Sequence, residues 1–484
     1  MTNDFVDFVS IQLDKSKKTA LYVQLYNAIA ALIRNDRLAP GYPLPPIRKF
    51  AVFLQINAST VVSAYKELEK NGYIFSRTGS GSYVAEVPDI IDTEAAIEAA
   101  EPNPIDPEIR SLESDQTLIN MASISLNPDI VSIEKFKQVM IEILDRDQGY
   151  AFSYQESQGF PALRESIAQY LTKNGVLASP DTVQIISGAQ QGIDIVARAL
   201  LNHGDCVFVE SPTYPGAIAA FRSRGAKIID IALQDDGMDI DDLEKKLRSF
   251  RPKLIYLMPN IQNPTGISYS AEKRNRLMGL ARYYNVFLLE DDYISELSYE
   301  QEPLAPLKAL DRDDRVIYLK SFSKIFMPGL RLAFLTMPQK LAAKLLSVKH
   351  LSDISTSGLT QRVFDLYLRR GIWQNHIAAI RQVYQTQFAF TVKAVTKYLS
   401  PDISYVKPCG GLSLWIELPP GISACKTKNA ARQDGVLITD GSPFFPRSAN
   451  DRYIRISFAT ISLQEIDAGI QLIGKILAAP KAKI

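Results

Sequence analysis

Cysteine, histidine and tryptophan are scarce in this chain, whose 484 residues include 3 Cys, 3 His and 2 Trp. The cysteines Cys206, Cys409 and Cys425 are odd in number and far apart. That pattern argues against a disulfide framework and is typical of a reducing compartment. Because histidines and cysteines are so few, we also expect no bound metal.

Long apolar runs are missing as well. No stretch approaches the roughly 18 apolar residues of a membrane-spanning helix. The N-terminus carries Asp4 and Asp7 where a signal peptide has basic residues. We therefore expect a cytoplasmic protein with no membrane partner. The net charge of +1 excludes a globally basic nucleic-acid binder but leaves a local basic patch open.

The composition is otherwise that of a soluble globular protein, with 46% hydrophobic and 22% charged residues. We divide the chain into three regions, which are 1–87, 88–119 and 120–484. The middle region is acidic and interrupted by proline, with nine acids and one base in 88–115. Such a composition predicts a linker.

Residues 1–87 carry the pattern of three helices followed by a hairpin. The predicted elements are a helix over 21–38, a short helix after Pro46, a helix over about 58–70, and β-prone pieces at 73–75 and 82–84. This order predicts a winged helix-turn-helix whose third helix enters a DNA major groove. A small helical domain with a solvated charged face remains the alternative.

The charge of this region is modestly positive, with ten Lys and Arg against seven Asp and Glu. Its order of motifs, 44–48, 56–61, 64–68 and 79–84, resembles the GntR-type DNA-binding domain over residues 15–86. The resemblance implies a double-stranded DNA operator as partner. Ala58 departs from the family, which usually has a DNA-contacting Arg at this position. The candidate DNA-binding residues are Arg48, Asn57, Ser59, Thr60, Lys66, Arg77 and Gly79.

From 120 to 484, β-prone runs alternate with helical stretches, which predicts an α/β domain with a mostly parallel central sheet. Its large part is about 150–340, and its small part, about 120–149 and 341–484, includes a C-terminal α+β subdomain. Polar or aromatic groups follow the predicted strand ends, where open α/β sheets gather ligands. These groups are Ser187, Gly188, Ala189, Gln190, Tyr214, Asn263, Asp291, Tyr293, Ser321, Ser323 and Lys324.

Taken singly, each group has an ordinary use as a solvated or packing residue. Taken together, they supply what pyridoxal phosphate requires. Lys324 can form an imine with the aldehyde, and Asp291 can keep the ring nitrogen protonated. Asn263 and Tyr293 can donate to the ring oxygen, while the ring of Tyr214 can stack on the cofactor. The phosphate would be held by Arg331, Ser321, Ser323 and the amides at the start of the helix after Gly188.

The order and spacing of these residues resemble the fold-type I aminotransferases over about 121–480. The intervals are 28 residues from Asn263 to Asp291, 33 from there to Lys324 and seven from there to Arg331. The resemblance implies that Tyr154 reaches the cofactor phosphate of a neighbouring subunit in a homodimer. It also implies that Arg455 clamps the carboxylate of a substrate or effector.

Over the whole chain, a GntR-type domain joined to this fold resembles the MocR subfamily of bacterial transcription regulators. The resemblance implies a domain-swapped homodimer that binds pyridoxal phosphate and senses an amino compound by aldimine exchange at Lys324. Two alternatives stay open. One is a metabolic aminotransferase with an accessory DNA-binding domain, and the other is a DNA-binding scaffold with an inert core.

Overall fold

The computed structural model describes residues 3–9, 11, 13–14, 19–34, 37–77, 81–85, 118–299, 304–447 and 450–478. The chain divides into two compact units, Met1–Pro102 and Asn103–Ile484. The predicted linker lies almost entirely outside the described residues, as do Gly79 and the side chain of Arg77. The exact domain boundaries therefore stay a prediction.

The first unit is a three-helix domain with a β-hairpin, as the sequence predicts. Its elements are a 3-10 turn at Asn3–Phe8, α1 (Leu21–Arg34), α2 (Ile47–Phe53), α3 (Ala58–Lys70), β1 (Ile74–Arg77) and β2 (Gly81–Val84). The strands pair antiparallel from Ile74 opposite Val84 to Arg77 opposite Gly81. The first helix ends at Arg34, four residues earlier than its apolar periodicity predicts.

Contacts with the neighbouring helices hold α3 in place. Val61, Ala64 and Leu68 are fully buried on its inner face. The Tyr65 hydroxyl donates to the Pro45 carbonyl oxygen over 2.9 Å, which ties α3 to the start of α2. The outer face of α3 stays available to a partner.

The second unit is built on an eight-stranded sheet. Its strands are β4 (Val183–Ile186), β5 (Cys206–Ser211), β6 (Lys227–Gln234), β7 (Gly237–Met238), β8 (Leu254–Leu257), β9 (Phe287–Asp292), β10 (Val316–Ser321) and β11 (Ala333–Thr336). They lie in the order β4-β11-β10-β9-β8-β5-β6-β7. The five strands from β10 to β6 are parallel, whereas β11 and β7 run antiparallel to their neighbours.

The parallel strands are apolar because helices cover both faces of such a sheet. β4, β8 and β10 are buried at every position. The helices are α4 (Ile133–Asp147), α5 (Pro161–Lys173), α6 (Ala189–Leu200), α7 (Pro215–Ser223), α8 (Ile240–Ser249), α9 (Ala271–Tyr283), α10 (Leu307–Leu310), α11 (Gln339–Asp353), α12 (Gly358–Arg369), α13 (Ile372–Tyr398), α14 (Ala424–Gln433) and α15 (Leu463–Ala478). No helix within the described ranges is long and apolar enough to cross a membrane.

A smaller antiparallel sheet follows in the C-terminal part, as expected of an α+β subdomain. Its strands, in spatial order, are β12 (Ser404–Tyr405), β13 (Ser413–Glu417), β16 (Tyr453–Ser457) and β15 (Thr439–Asp440). A separate parallel pair joins β3 (Ile119–Asn120) to β14 (Val436–Leu437). The beginning of the unit is thereby attached to its C-terminal part.

Candidate cofactor site and DNA-binding face

Lys324 lies in the turn directly after β10, at the carboxyl end of the central sheet, and its side chain is half-buried. Phe322 and Phe326, on either side of it, pack on Trp373 with ring centroids 5.4 and 5.8 Å away. The His376 ring donates to a carbonyl oxygen of this turn over 2.7 Å, and burial lowers the pKa of His376. These contacts anchor the turn around the amine.

Beside this turn, Ser187, Gly188, Ser323 and Arg331 form a cluster that we call the cradle. Arg331 donates through Nη1 to Ser323 Oγ over 3.4 Å and through Nη2 to the Ser187 carbonyl oxygen over 3.1 Å. A Cβ on Gly188 would lie 2.2 Å from Arg331 Nη2, and the φ of Gly188 is +104°. Glycine adopts this positive φ without strain and leaves room for the guanidinium against the start of α6, where unpaired amides attract anions.

The hydroxyl of Ser187 has its own partners in this structure. It donates to Asp353 Oδ2 over 3.1 Å and lies 3.4 Å from Thr356 Oγ1. Asp353 in turn pairs with Lys349 over 2.5 Å. Ser187 therefore offers its carbonyl oxygen to Arg331, while its hydroxyl fixes the cradle to the end of α11.

The remaining predicted residues of this region pack close by. Ser321 is buried, and its Oγ accepts from the Ser323 amide over 3.3 Å. Gln190, next to the first helical residue Ala189, donates through Nε2 to the Gly216 carbonyl oxygen over 2.9 Å. Tyr214 caps α7, and a Cβ on Gly216 would lie 2.5 Å from its ring.

Asp291, near the carboxyl end of β9, is 3% exposed. Its Oδ2 accepts from the Tyr256 hydroxyl over 2.7 Å, whereas its Oδ1 is buried with no hydrogen-bond partner among the described residues. Burial raises the pKa of Asp291 to about 7, with the neighbouring Asp292 adding to the rise. A buried carboxylate oxygen without a donor is costly, so this atom indicates a ligand group that donates to it.

Asp292, the next residue, has a different environment on the opposite face of the strand. Lys320 donates to its Oδ1 over 2.9 Å, and Tyr318 donates to its Oδ2 over 2.7 Å. Burial alone would raise the pKa of Asp292, but Lys320 and these hydrogen bonds hold it below its ordinary value. Lys320 also pairs with Glu296 over 2.6 Å. The pKa values of two adjacent carboxyls are therefore shifted in opposite directions.

Asn263 and Arg455 meet in the interior, although 192 residues separate them in the chain. Arg455, on β16, has no exposed surface, and its Nη1 donates to Asn263 Oδ1 over 3.2 Å. Its Nη2 donates to the Ala122 carbonyl oxygen over 3.2 Å, and its Cζ lies 5.1 Å from the centroid of Phe444. The predicted carboxylate clamp thus lies beside a predicted cofactor ligand. Ala122 and Phe444 were not predicted, because no local pattern marks their contact with Arg455.

A buried network that the sequence analysis missed supports the Asn263 turn. Glu210 Oε1 accepts from the Tyr269 hydroxyl over 2.7 Å, and its Oε2 accepts from Gln262 Nε2 over 3.2 Å. Gln262 Oε1 accepts from the Thr265 amide over 3.0 Å. Burial raises the pKa of Glu210 to about 7. A Glu followed much later by Gln-Asn-Pro-Thr was visible in the sequence, but their contact was not.

Tyr154 and Tyr293 occupy opposite environments. Tyr293 is half-buried and packs against the clusters on both faces of the sheet. Tyr154 is 85% exposed and lines a surface groove together with Ser357 and Thr356. Within one chain, Tyr154 lies at the surface and is not packed into the core beside Lys324.

The DNA-binding candidates that the structure describes lie on α2 and α3. Arg48, Ser59 and Lys66 are exposed, and Thr60 is half-buried. Asn57 takes the N-cap position of α3 but makes no capping hydrogen bond through its side chain. Its exposed amide therefore remains available at the end of the helix that is predicted to enter the major groove.

Family models match both units. The model for aminotransferase class I and II matches residues 123–473, and the model for bacterial regulatory proteins of the gntR family matches residues 21–84. The kynurenine aminotransferase of Pyrococcus horikoshii, solved with PMP, has a TM-score of 0.74 and 31% identity, covering 81% of this chain and 98% of that one. LysN, the alpha-aminoadipate aminotransferase of Thermus thermophilus, solved with N-(5'-phosphopyridoxyl)-L-leucine, has a TM-score of 0.74 and 30% identity, covering 80% of this chain and 97% of that one.

Relatives with both units extend over nearly the whole chain. The "Probable rhizopine catabolism regulatory protein MocR" of Rhizobium meliloti is 28% identical and covers 95% of this chain and 94% of its own. The "Uncharacterized HTH-type transcriptional regulator YdcR" of Escherichia coli is 28% identical, covering 94% of this chain and 98% of its own. The chain thus belongs to the aminotransferase class I and II family. Its full architecture, with the gntR-family domain in front, is that of a MocR-type regulator.

The cofactor of this family is pyridoxal phosphate, and the residues fit it. Asp291 Oδ1 has no donor in the part of the chain that the structure describes, as expected of the carboxylate that faces a protonated ring nitrogen. The cradle places the Arg331 guanidinium at a helix start, which suits a phosphate. Lys324 is half-buried at the same sheet edge and directly follows Ser323 of the cradle.

Replacing Gly188 tests the cradle. The Cβ of Gly188→Ala would clash with Arg331 Nη2, so we expect affinity for pyridoxal phosphate to fall by about tenfold or more, equivalent to at least ~1.4 kcal/mol. Absorbance titration measures this affinity. Gly204→Ala is the matched control, because Gly204 also has a positive φ, +82°, but nothing lies within 4 Å of its Cβ position. Equal affinities of the two variants would contradict the assignment.

The raised pKa of Asp291 has a consequence for cofactor-free protein. Between its ordinary pKa and about 7, the folded chain keeps a proton that the unfolded chain has released. The free energy of unfolding should therefore fall as pH rises from about 4 to 7, by up to about 4 kcal/mol from this group. Urea unfolding at pH 5 and 7.5 should show a smaller fall in Asp291→Asn than in Asp129→Asn, an exposed control. An unchanged fall would contradict the assignment.

Proposed function

We propose that this protein is a cytoplasmic, ligand-responsive transcription regulator. An amino compound that carries a carboxylate binds in the second unit and changes the affinity of the first unit for its operator. The carrying observation is the Arg455 guanidinium, which is buried beside Asn263 and bonded to Ala122, near the start of the second unit. The hydrogen bond from Arg455 to Ala122 therefore connects the proposed carboxylate site to the segment that leads to the DNA-binding unit.

Different residues would hold different parts of the cofactor. Pyridoxal phosphate supplies an aldehyde that forms imines with amines and a ring that withdraws electrons. Lys324 would provide the amine of the protein, and Asp291 would keep a proton on the ring nitrogen through its Oδ1. Asn263 and Tyr293 would donate to the ring oxygen. Arg331, Ser323 and the first amides of α6 would hold the phosphate.

Arg455 provides selectivity for a carboxylate. Guanidinium and carboxylate form paired, charge-assisted hydrogen bonds, which are stronger than the bonds Arg455 makes to neutral oxygens here. An arriving carboxylate competes with the Asn263 and Ala122 oxygens for Nη1 and Nη2. An effector that binds only one arrangement of these groups shifts the population toward it.

Competition at Ala122 gives a physical route to the DNA-binding unit. Ala122 follows β3, the first described strand after residue 117. The Ser457 amide of β16 also donates to the Met121 carbonyl oxygen over 2.7 Å, so the residue before Ala122 is bonded to the same strand. A rearrangement at Ala122 therefore acts on the segment that joins the two units through the covalent chain.

A second candidate function is a metabolic aminotransferase with an accessory DNA-binding domain. It is favoured by the complete set of residues around Lys324. It is also favoured by relatives such as the 2-aminoadipate transaminase of Thermus thermophilus, 32% identical over 72% of this chain and 87% of its own. The exposed cations on α2 and α3 favour the regulator instead.

We further propose that the protein is a homodimer with exchanged DNA-binding units. Three aromatic side chains in one short segment are exposed, namely Tyr150 (78%), Phe152 (68%) and Tyr154 (85%). Apolar groups clustered in this way mark interaction surfaces, and Tyr154 is the residue expected to reach a neighbouring phosphate. Sedimentation equilibrium should give a dimer at micromolar concentration, and a monomer would contradict this.

Operator binding in the presence of matched ligands tests the proposed function. The probe is labelled DNA from upstream of the protein's own gene, titrated with amino acids and with the amines that lack their carboxylate. At least one amino acid should change the dissociation constant by about tenfold, within the usual range of allosteric coupling. Its decarboxylated counterpart should have a much weaker effect. The change should vanish in Arg455→Met and persist in Arg452→Met, whose arginine pairs with Glu417 on the surface.

Two other outcomes would contradict the regulator. The first is rapid multiple-turnover transamination with no DNA bound, which favours the enzyme. The second is DNA binding that is the same with every ligand and in Lys324→Ala, which leaves only the scaffold.

A further inference from the structure

A surface groove of about 540 Å³ lies at the amino ends of β8 and β9, and we call it the basic groove. It is lined by residues from the end of α8, the end of α9 and the strand starts, among them Arg248, Phe250, Arg251, Lys253, Tyr283 and Phe287. Asp291 lies near the carboxyl end of β9, and Lys324 follows the carboxyl end of β10, the parallel neighbour of β9. The groove is therefore at the opposite edge of the sheet from the cofactor site.

The lining of the groove is positively charged, with Arg248, Arg251 and Lys253 as its cations. Residues 245–253 contain five cations and no acid. Lys246 pairs with Asp242 and Arg248 pairs with Glu244, each over 2.6 Å. Arg251 and Lys253 are exposed and form no salt bridge with any residue that the structure describes. The lining contains no acid, so Arg251 and Lys253 give it an excess of positive charge.

Aromatic side chains form the rest of the lining. Tyr283 is 80% exposed, and its ring lies 4.9 Å from that of Tyr284 in an edge arrangement. Lys340 lies over the Phe287 ring at 5.0 Å from its centroid, and Lys227 lies over Phe250 at 5.2 Å. These lysines extend the positive surface on either side. A surface of cations packed on aromatic rings is unlike a pocket for a small apolar ligand.

We propose that the basic groove binds the phosphate backbone of DNA that flanks the operator. The inference depends on DNA binding by the first unit, whose own excess of positive charge is only three over residues 1–87. Cations on a surface gain affinity for DNA by releasing its condensed counterions, without reading sequence. A second backbone contact on the large unit would lengthen the bound duplex and make its affinity more dependent on salt.

The first test compares two duplexes centred on the site that nuclease footprinting locates upstream of the gene. One is about 20 base pairs, or two helical turns, and the other is about 60 base pairs. The full-length protein should bind the long duplex more tightly, with a steeper slope of log affinity against log salt. Equal affinities and slopes for the two lengths would overturn the proposal.

The second test reverses the two unpaired charges in Arg251→Glu/Lys253→Glu. On the long duplex, the salt slope should fall by about 1.8, at about 0.9 per lost phosphate contact, and affinity at physiological salt should fall by at least about tenfold. On the short duplex, both quantities should match the wild type. Thermal unfolding should be unchanged, because both side chains are exposed.

Lys393→Glu/Lys475→Glu is the matched control, since these exposed lysines on α13 and α15 give the same change in net charge. Equal losses of affinity and salt slope in both variants would show a general electrostatic effect and overturn the proposal that the basic groove binds DNA. If wild-type protein binds neither duplex, the proposed regulator function fails with it. If the wild type binds both and the Arg251/Lys253 variant behaves like it, the groove proposal alone fails.

Discussion

The carboxyl group of Asp291 is the constraint on which the cofactor site depends. Burying it without a donor for Oδ1 costs free energy, and its raised pKa expresses that cost. The Tyr256 hydroxyl donates to the other oxygen and favours the observed orientation of the carboxyl. The neighbouring Asp292 is compensated by Lys320 in the protein itself. Of two adjacent acids, one is therefore satisfied by the fold and the other is left for a ligand.

The other residues proposed to hold the cofactor are positioned by contacts of their neighbours in the fold. The turn of Lys324 is fixed by aromatic packing on both sides, and the cradle is fixed by the close approach of Arg331 to Gly188. Arg455 is different, because its guanidinium is already bonded within the protein. Under the proposed function, an effector carboxylate would replace those bonds, and the cost of replacing them would couple its binding to the segment that joins the two units.

Much of this arrangement follows from the sequence, because local patterns decide it. The third helix of the DNA-binding unit runs from Ala58 to Lys70 as its periodicity and flanking residues predict. Strand ends followed by polar groups correctly predict the edge at which Asp291 and Lys324 lie. What the sequence could not give is contact across the fold. The insertion of β11 antiparallel between β4 and β10, and the pairing of Tyr256 with Asp291, depend on strand order and register. The same holds for Ala122 beside Arg455.

The protonation state of the cofactor's ring nitrogen tests the central claim most directly. Nitrogen-15 NMR of protein loaded with labelled pyridoxal phosphate reports it without relying on activity or DNA binding. If Asp291 Oδ1 accepts from this nitrogen, the wild type should show a protonated nitrogen at neutral pH, and Asp291→Asn should show an unprotonated one. The same protonation state in both proteins would contradict the account, because Asp291 would then be facing something else.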